Sequence, residues 1–217
     1  MNKEFFFCGP ARIPVGDRLV LEAEVTLGPG ELVVLTGQSG SGKTSLLKAI
    51  AAISSAWCEK RIVLGRDMSS GSLPVWRSRV VLLAQDAPML RDTLEHNLSF
   101  PFHLKNTGKK VFEKEKAESL LRKMGISASL QQDAGSLSGG ERHRAALVRG
   151  ILFDPPVLLA DEPFSGSDPE NKAACFNVLR EHVKRGDRAV LVVLHDRELL
   201  EKADRILMIR ENRLVAV

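Results

Sequence analysis

One octapeptide limits this chain more than anything else: Gly37-Gln-Ser-Gly-Ser-Gly-Lys43-Thr44 fits the phosphate-loop pattern G-x-x-x-x-G-K-[ST]. Before it lies Leu32-Val-Val-Leu-Thr36, a short β-branched run, and after it a stretch from Thr44 to Ala56 rich in Leu, Ala and Ile. This order predicts strand, loop and helix. Glycines there let backbone N–H groups curl around phosphate oxygens with no Cβ in the way. The helix beyond turns its positive end to the same oxygens, Lys43 reaches the β and γ phosphates, and the Thr44 hydroxyl is placed to ligate Mg²⁺. Gly37, Gln38, Ser39, Gly40, Ser41, Gly42, Lys43, Thr44 and Ser45 are therefore the candidate nucleotide contacts. The alternative, a glycine-rich turn that binds nothing, is opposed by the strand-loop-helix context.

Two continuous apolar runs, Val157-Leu-Leu-Ala160 and Ala189-Val-Leu-Val-Val-Leu194, have the pattern of parallel strands covered on both faces. The first ends in Asp161-Glu162 and the second in His195, and the ends of parallel strands are where ligands bind. Successive side chains leave a strand in different directions. Asp161 then addresses the Mg²⁺ shell while Glu162 faces the water that attacks the γ phosphate. Alone, such a pair is more often a solvated loop, and the phosphate loop upstream is what raises it above that reading.

Between these runs the pattern turns helical. Ala117, Leu120, Leu121 and Met124 fall at helical spacing with Gly125 as a stop, Glu141 to Phe153 ends at Pro155-Pro156, and Asn171 to Arg185 carries a stripe from Ala174 to Val183 before Gly186-Asp187. The alternation implies an α/β fold. Residues Arg18 to Leu27 instead alternate apolar and polar side chains and end at Gly28-Pro29-Gly30, which predicts antiparallel strands. The expected organisation is a single domain over 1–217, with a parallel-sheet P-loop core, an antiparallel β part over about 1–31 and a helical subdomain over about 86–138.

Composition narrows the class. The longest stretch without an acidic or basic residue is Leu32 to Gly42, far short of the roughly 18 apolar residues of a spanning helix. Three Phe after Lys3 and Glu4 are too few for a secretory h-region. Cys8, Cys58 and Cys175 are odd in number and lack metal-ligand spacing, which suits a reducing compartment and reads them as small hydrophobes. The net charge of +4 sets 31 basic residues against 27 acidic ones along the whole chain, a weak signal for nucleic acid, so no nucleic-acid partner is expected. The chain reads as cytoplasmic.

Leu137-Ser-Gly-Gly-Glu141 lies just before a predicted helix. It reads equally as a plain helix cap and as a second anion site, and the second reading would sandwich a nucleotide between two copies.

Together these residues resemble the nucleotide-binding domain of the ATP-binding cassette (ABC) family over nearly the full length. The phosphate loop is followed in order by Gln85 after Val80-Val-Leu-Leu-Ala84, the signature-like Leu137 to Glu141, Asp161-Glu162, Ser165-Gly-Ser-Asp168 and His195. The resemblance implies that ATP and Mg²⁺ are bound, with Thr44, Gln85 and Asp161 about the metal and Glu162, His195 and Lys43 carrying catalysis. Ser138, Gly139 and Gly140 would touch the γ phosphate held by a second cassette, identical or not. It also implies a separate transmembrane permease subunit, docked near Gln85 and the segment Asp86 to Leu104, on the cytoplasmic face of the membrane. That segment's apolar side chains fit docking and internal packing equally. Asp168 fits both the family loop and a cap before Pro169.

The pattern departs from the family in places. No aromatic residue stands at Ile13-Pro14-Val15, where family members stack the adenine, leaving an apolar contact, or Phe7 under a shifted strand register. Glu141 and Gly166 replace the usual Gln and Ala without an evident penalty. Rival readings are a soluble ABC ATPase acting on nucleic acid or ribosomes, which would bring tandem cassettes or a long insertion, a small-molecule P-loop kinase, which leaves Leu137 to Glu141 unexplained, and a regulatory nucleotide-binding module.

Overall fold

The computed structural model describes residues 4–16, 19–108 and 110–217. Strand β1 (Phe6–Val15) pairs antiparallel with β2 (Leu19–Leu27), and the expected start of that second strand at Arg18 lies outside the described residues. Next come β3 (Leu32–Gly37), α1 (Lys43–Ile50), β4 (Trp57–Val63), β5 (Arg66–Asp67), α2 (Leu73–Arg77) and β6 (Val80–Leu83). Helices α3 (Leu94–Ser99), α4 (Lys114–Lys123) and α5 (Gly139–Phe153) lead to β7 (Val157–Asp161), α6 (Pro169–Val183), β8 (Ala189–Val193), α7 (Arg197–Leu200), β9 (Arg205–Arg210) and β10 (Arg213–Ala216).

Among the described residues, ten strands join one sheet in the order β5-β4-β1-β2-β10-β9-β3-β8-β7-β6. Strands β9, β3, β8, β7 and β6 run parallel, with β3 between β8 and β9. The antiparallel strands are not confined to the first 31 residues: β4 and β5 come from beyond α1, and β9 folds back on β10. The polar, charged run from Glu59 to Arg61 in β4 hides its strand character, because it lies toward the sheet's edge with those side chains in or near solvent.

Side chains alternating along a strand divide the core in two. Leu32 and Val34 face the layer of α3, α4, α5 and α6, whereas Val33 and Leu35 face α1, β1, β2 and Trp76. Burial on both faces explains why β3, β7 and β8 read as unbroken apolar runs.

Helix α1 stops at Ile50, six residues short of the expected end. Ala52 takes a left-handed backbone (φ 56°), its N–H donates to Ala49 O at 2.9 Å, and Ile53 N–H donates to Lys48 O at 2.9 Å. That is a Schellman ending with alanine where glycine is usual, so the sequence carries no stop signal.

Beyond α5, Asp154 receives a two-pronged bond from Arg188, Nε at 2.9 Å and Nη2 at 2.7 Å. Buried beside it, His182 has Nδ1 3.8 Å from Asp154 Oδ1. Burial pushes its imidazole down to about 4, with Asp154 opposing and Arg188 and Arg185 assisting. Unfolded chains take up this proton near the ordinary value of about 6.5, and the folded chain resists until about 4. Stability is therefore full above about pH 6.5 and declines as pH falls through that window, by on the order of 3 kcal/mol. His182→Leu should flatten this part of the profile of urea midpoints against pH. An unchanged slope would remove His182 from the account.

Candidate active site

The phosphate loop leaves β3 at Gly37 (φ 145°) and enters α1 through Gly42 (φ 102°), a conformation that L side chains rarely adopt. A Cβ on Gly42 would also lie 2.7 Å from Val15 Cγ2. Within the loop, Lys43 is buried, and its ammonium donates to Gly37 O at 3.0 Å and Gln38 O at 2.9 Å. Gln38, Ser39 and Gly40 are exposed at the crown, while Ser41 Oγ is buried with no hydrogen-bond partner among the described residues. A buried hydroxyl without a partner, in a glycine-rich loop at the start of a helix, fits a site that a phosphate-bearing ligand completes. Ser45, half-buried, lies on the first turn of α1.

Side by side in the parallel sheet, β3 and β7 bring the next residues together. Thr44 Oγ1 donates to Asp161 Oδ2 at 2.7 Å. Burial raises the Asp161 carboxyl above its ordinary value, the Thr44 bond works against this, and neighbouring Glu162 adds to it. Such a carboxylate gains from a cation. The threonine hydroxyl and the Asp161 carboxylate are hard oxygen donors suited to a divalent ion whose shell phosphate and water complete, whereas Gln85 reaches this pair through Glu162, to which its amide nitrogen donates. No cluster of three or more His, Cys, Asp or Glu with metal-holding geometry occurs among the described residues.

Glu162 follows β7 with a left-handed backbone (φ 49°), which swings its side chain away from Asp161. One oxygen accepts from Gln85 Nε2 at 3.2 Å, and the other lies 3.3 Å from His195 Nε2. Gln85 comes from the end of β6 and His195 from the end of β8, so three adjacent strand ends converge on one carboxylate. The loop, Thr44, Asp161, Glu162, Gln85 and His195 thus form one constellation.

Ser138, Gly139 and Gly140 stand apart, because no hydrogen bond among the described residues joins them to the phosphate loop. Ser138 caps α5 in a reciprocal box with Glu141, Ser138 Oγ accepting at 3.3 Å and Glu141 Oε2 at 2.9 Å. These bonds to Ser138 hold the Glu141 carboxyl below its ordinary value. A Cβ on Gly140 would meet Gly166 O at 2.8 Å, so this glycine lets α5 approach the loop before α6. Asp168 caps α6 by accepting from Asn171 N–H at 2.8 Å.

Sequence reasoning passed over His143. Its ring nitrogens lie 3.0 Å from Ser165 O and 2.7 Å from Gln85 O, tying α5 to the loops on either side. Nor did the sequence announce the turn Glu211-Asn212, where both residues have positive φ and line, with Gly37 to Ser41, a cavity of about 860 Å³. The adenine alternative at Phe7 is corrected. Val15 is the end of β1 that touches the loop, and Phe7, eight residues along and paired with Thr26 and Ile62, is on the order of 25 Å away. Ile13 is committed to the core, leaving half-buried Val15 beside the loop.

Residues 20–165 match the family model described as ABC transporter. The chain is 32% identical over 201 residues to "Probable iron export ATP-binding protein FetA" of Escherichia coli (strain K12), covering 91% of this chain and 87% of that protein. It is 36% identical over 201 residues to "Aliphatic sulfonates import ATP-binding protein SsuB" of Delftia acidovorans, covering 92% and 76%. Its structure resembles that of a dimeric ATP-binding cassette in a post-hydrolysis state bound to ADP and Pi, with a TM-score of 0.82 at 20% identity over 96% of both chains. The last likeness is one of fold, an α/β P-loop NTPase. With the sequence match running from β2 to just past Glu162, the chain belongs to the ABC transporter family.

Proposed function

We propose that the chain is the ATP-binding and ATP-hydrolysing subunit of a transporter, acting through a separate membrane subunit. The observation that carries this reading is Glu162 held between Gln85 and His195, one residue from the Thr44–Asp161 bond. Lys43 and the backbone of Gly37 to Ser45 bind the phosphates. Mg²⁺, held by Thr44, Asp161 and Gln85, would neutralise charge on the phosphate oxygens. Glu162 orients water and takes its proton, and His195 fixes Glu162 and the γ phosphate side of the site. Chelation with EDTA should reduce turnover to background.

Ser138 and Gly139, exposed, and half-buried Gly140, with no hydrogen bond to their own chain's phosphate loop among the described residues, fit a nucleotide held by a second cassette in a two-fold pair. Residues 86–138 act as a helical subdomain whose last residue, Ser138, opens that surface at the start of α5. The apolar segment divides between the two uses left open by sequence: Leu94 and Leu98 are in the core, while Leu90, Phe100 and Leu104 face outward. The exposed set fits permease docking. No helix among the described residues is long and apolar enough to cross a membrane, which accords with a cassette seated peripherally on the cytoplasmic face. The relatives named for a cargo differ, iron export for one and aliphatic sulfonate import for another, so likeness in the cassette does not specify a cargo.

Val15 offers adenine an apolar contact without a stacked ring, and stacking contributes roughly 1 to 3 kcal/mol per base. Neither an apolar contact nor a stacked ring, whose face accepts any base, reads a purine's polar edge, so GTP should support turnover within about tenfold of ATP in kcat/KM, 1.4 kcal/mol being a factor of ten. A preference for ATP beyond a hundredfold would show that another group reads the base.

The reading is tested by co-purifying the tagged chain from detergent-solubilised membranes. A stoichiometric multi-spanning protein supports it; ribosomes or nucleic acid in its place would overturn it.

A further inference from the structure

The two cysteines of the antiparallel strands are not independent hydrophobes. The regular register of β1 on β2 shifts between Cys8 and Ala11, so that both residues turn inward. Ala11 is the partner of Cys58 on β4, and the shift therefore brings Cys8 onto the same side as Cys58. Their sulfurs are 3.3 Å apart, inside van der Waals contact and a small movement from the roughly 2.05 Å of a disulfide.

We propose that Cys8 and Cys58 are a redox modification site, closing to an intramolecular disulfide when a peroxide oxidises them. This goes beyond nucleotide chemistry and does not depend on it. Cys58 is the half-buried member and Cys8 the buried one, so a small oxidant meets Cys58 first. The bond from Cys8, opposed by burial and aided by the Arg61 cation, pulls the Cys58 thiol down to about 7, whereas the same bond and burial push Cys8 up. The Cys58 thiolate attacks one peroxide oxygen, breaking the O–O bond and leaving a sulfenic acid with one water released after protonation. Cys8 sulfur then attacks the Cys58 sulfur, expelling hydroxide, which takes the Cys8 proton and leaves as the second water. Two thiols and one peroxide thus give one disulfide and two waters, and a small thiol reverses the reaction by exchange.

Cys175 stands outside this chemistry, buried on α6 with burial pushing its thiol up to about 12. The link would enclose β2, β3, the phosphate loop and α1, restricting the unfolded chain and so raising the thermal midpoint.

The test uses the full chain, treated with hydrogen peroxide and then alkylated under denaturing conditions. Expected is a loss of two of the three free thiols, a mass lower by about 2 Da, a peptide joining Cys8 to Cys58, a raised thermal midpoint, and full recovery with dithiothreitol. In Cys58→Ser the link is absent and both remaining thiols react. Three thiols surviving peroxide, oxygen added to Cys58 without a link, or a bridge to Cys175 or between chains would each overturn the proposal.

Discussion

Glu162→Gln should bind ATP as the parent does and hydrolyse it about 10² to 10⁴ times more slowly, the span usual for loss of a general base. Glutamine keeps the length of the side chain and can still meet Gln85 and His195, so the constellation survives while the proton acceptor is lost. With ATP bound and not consumed, the variant should accumulate as a dimer on gel filtration in the presence of ATP. A variant retaining more than about a tenth of turnover, against that expected range, would take Glu162 out of the role. His195→Ala should act through Glu162, lowering kcat with little change in KM.

Lys43→Ala should weaken ATP binding by about 10- to 100-fold, the equivalent of losing a charge-assisted hydrogen bond to phosphate. Turnover should fall further, since the same ammonium faces charge that grows in the transition state. Lys43 also spans the loop, donating to Gly37 O and Gln38 O. Its removal leaves two carbonyls without that cation, and the loop should lose order as well as charge. Arginine is no conservative substitute: the buried ammonium is held by two carbonyls, a point-charge geometry that a planar guanidinium fork does not reproduce. Titration calorimetry of the variant with ATP settles the matter, and an affinity within threefold of the parent would show that backbone N–H groups alone hold the phosphates.

The parts legible in the sequence were those whose physics is local. β3, β7 and β8 announced themselves because burial on both faces demands unbroken apolar runs, and the phosphate loop because its glycines and lysine sit at fixed spacing between strand and helix. Other parts depend on partners remote in sequence. Nothing local to Glu59-Lys-Arg61 says strand; β1 supplies the ladder. Ala52 ends α1 in a conformation that glycine would have signalled, and Glu211-Asn212 makes a two-residue hairpin turn without a glycine. His143 is one more polar residue on a helix until Gln85 and Ser165 are seen beside it. Phe7 and Val15 were interchangeable on paper because only the register of β1 decides which end meets the loop.

The position of β3 bears on how the chain is made. The strand that delivers the phosphate loop is flanked on both sides by strands from the far end of the sequence: Leu32 pairs with Val190 and Val33 with Arg205. During synthesis the N-terminal half emerges with both edges of β3 bare, and no local hairpin can cover them. Closing such distant pairings is slow, and exposed strand edges invite association with other chains. A ribosome-tethered chain halted before residue 189 should accordingly resist protease poorly and aggregate on release, acquiring protection only when β8 and β9 have left the exit tunnel.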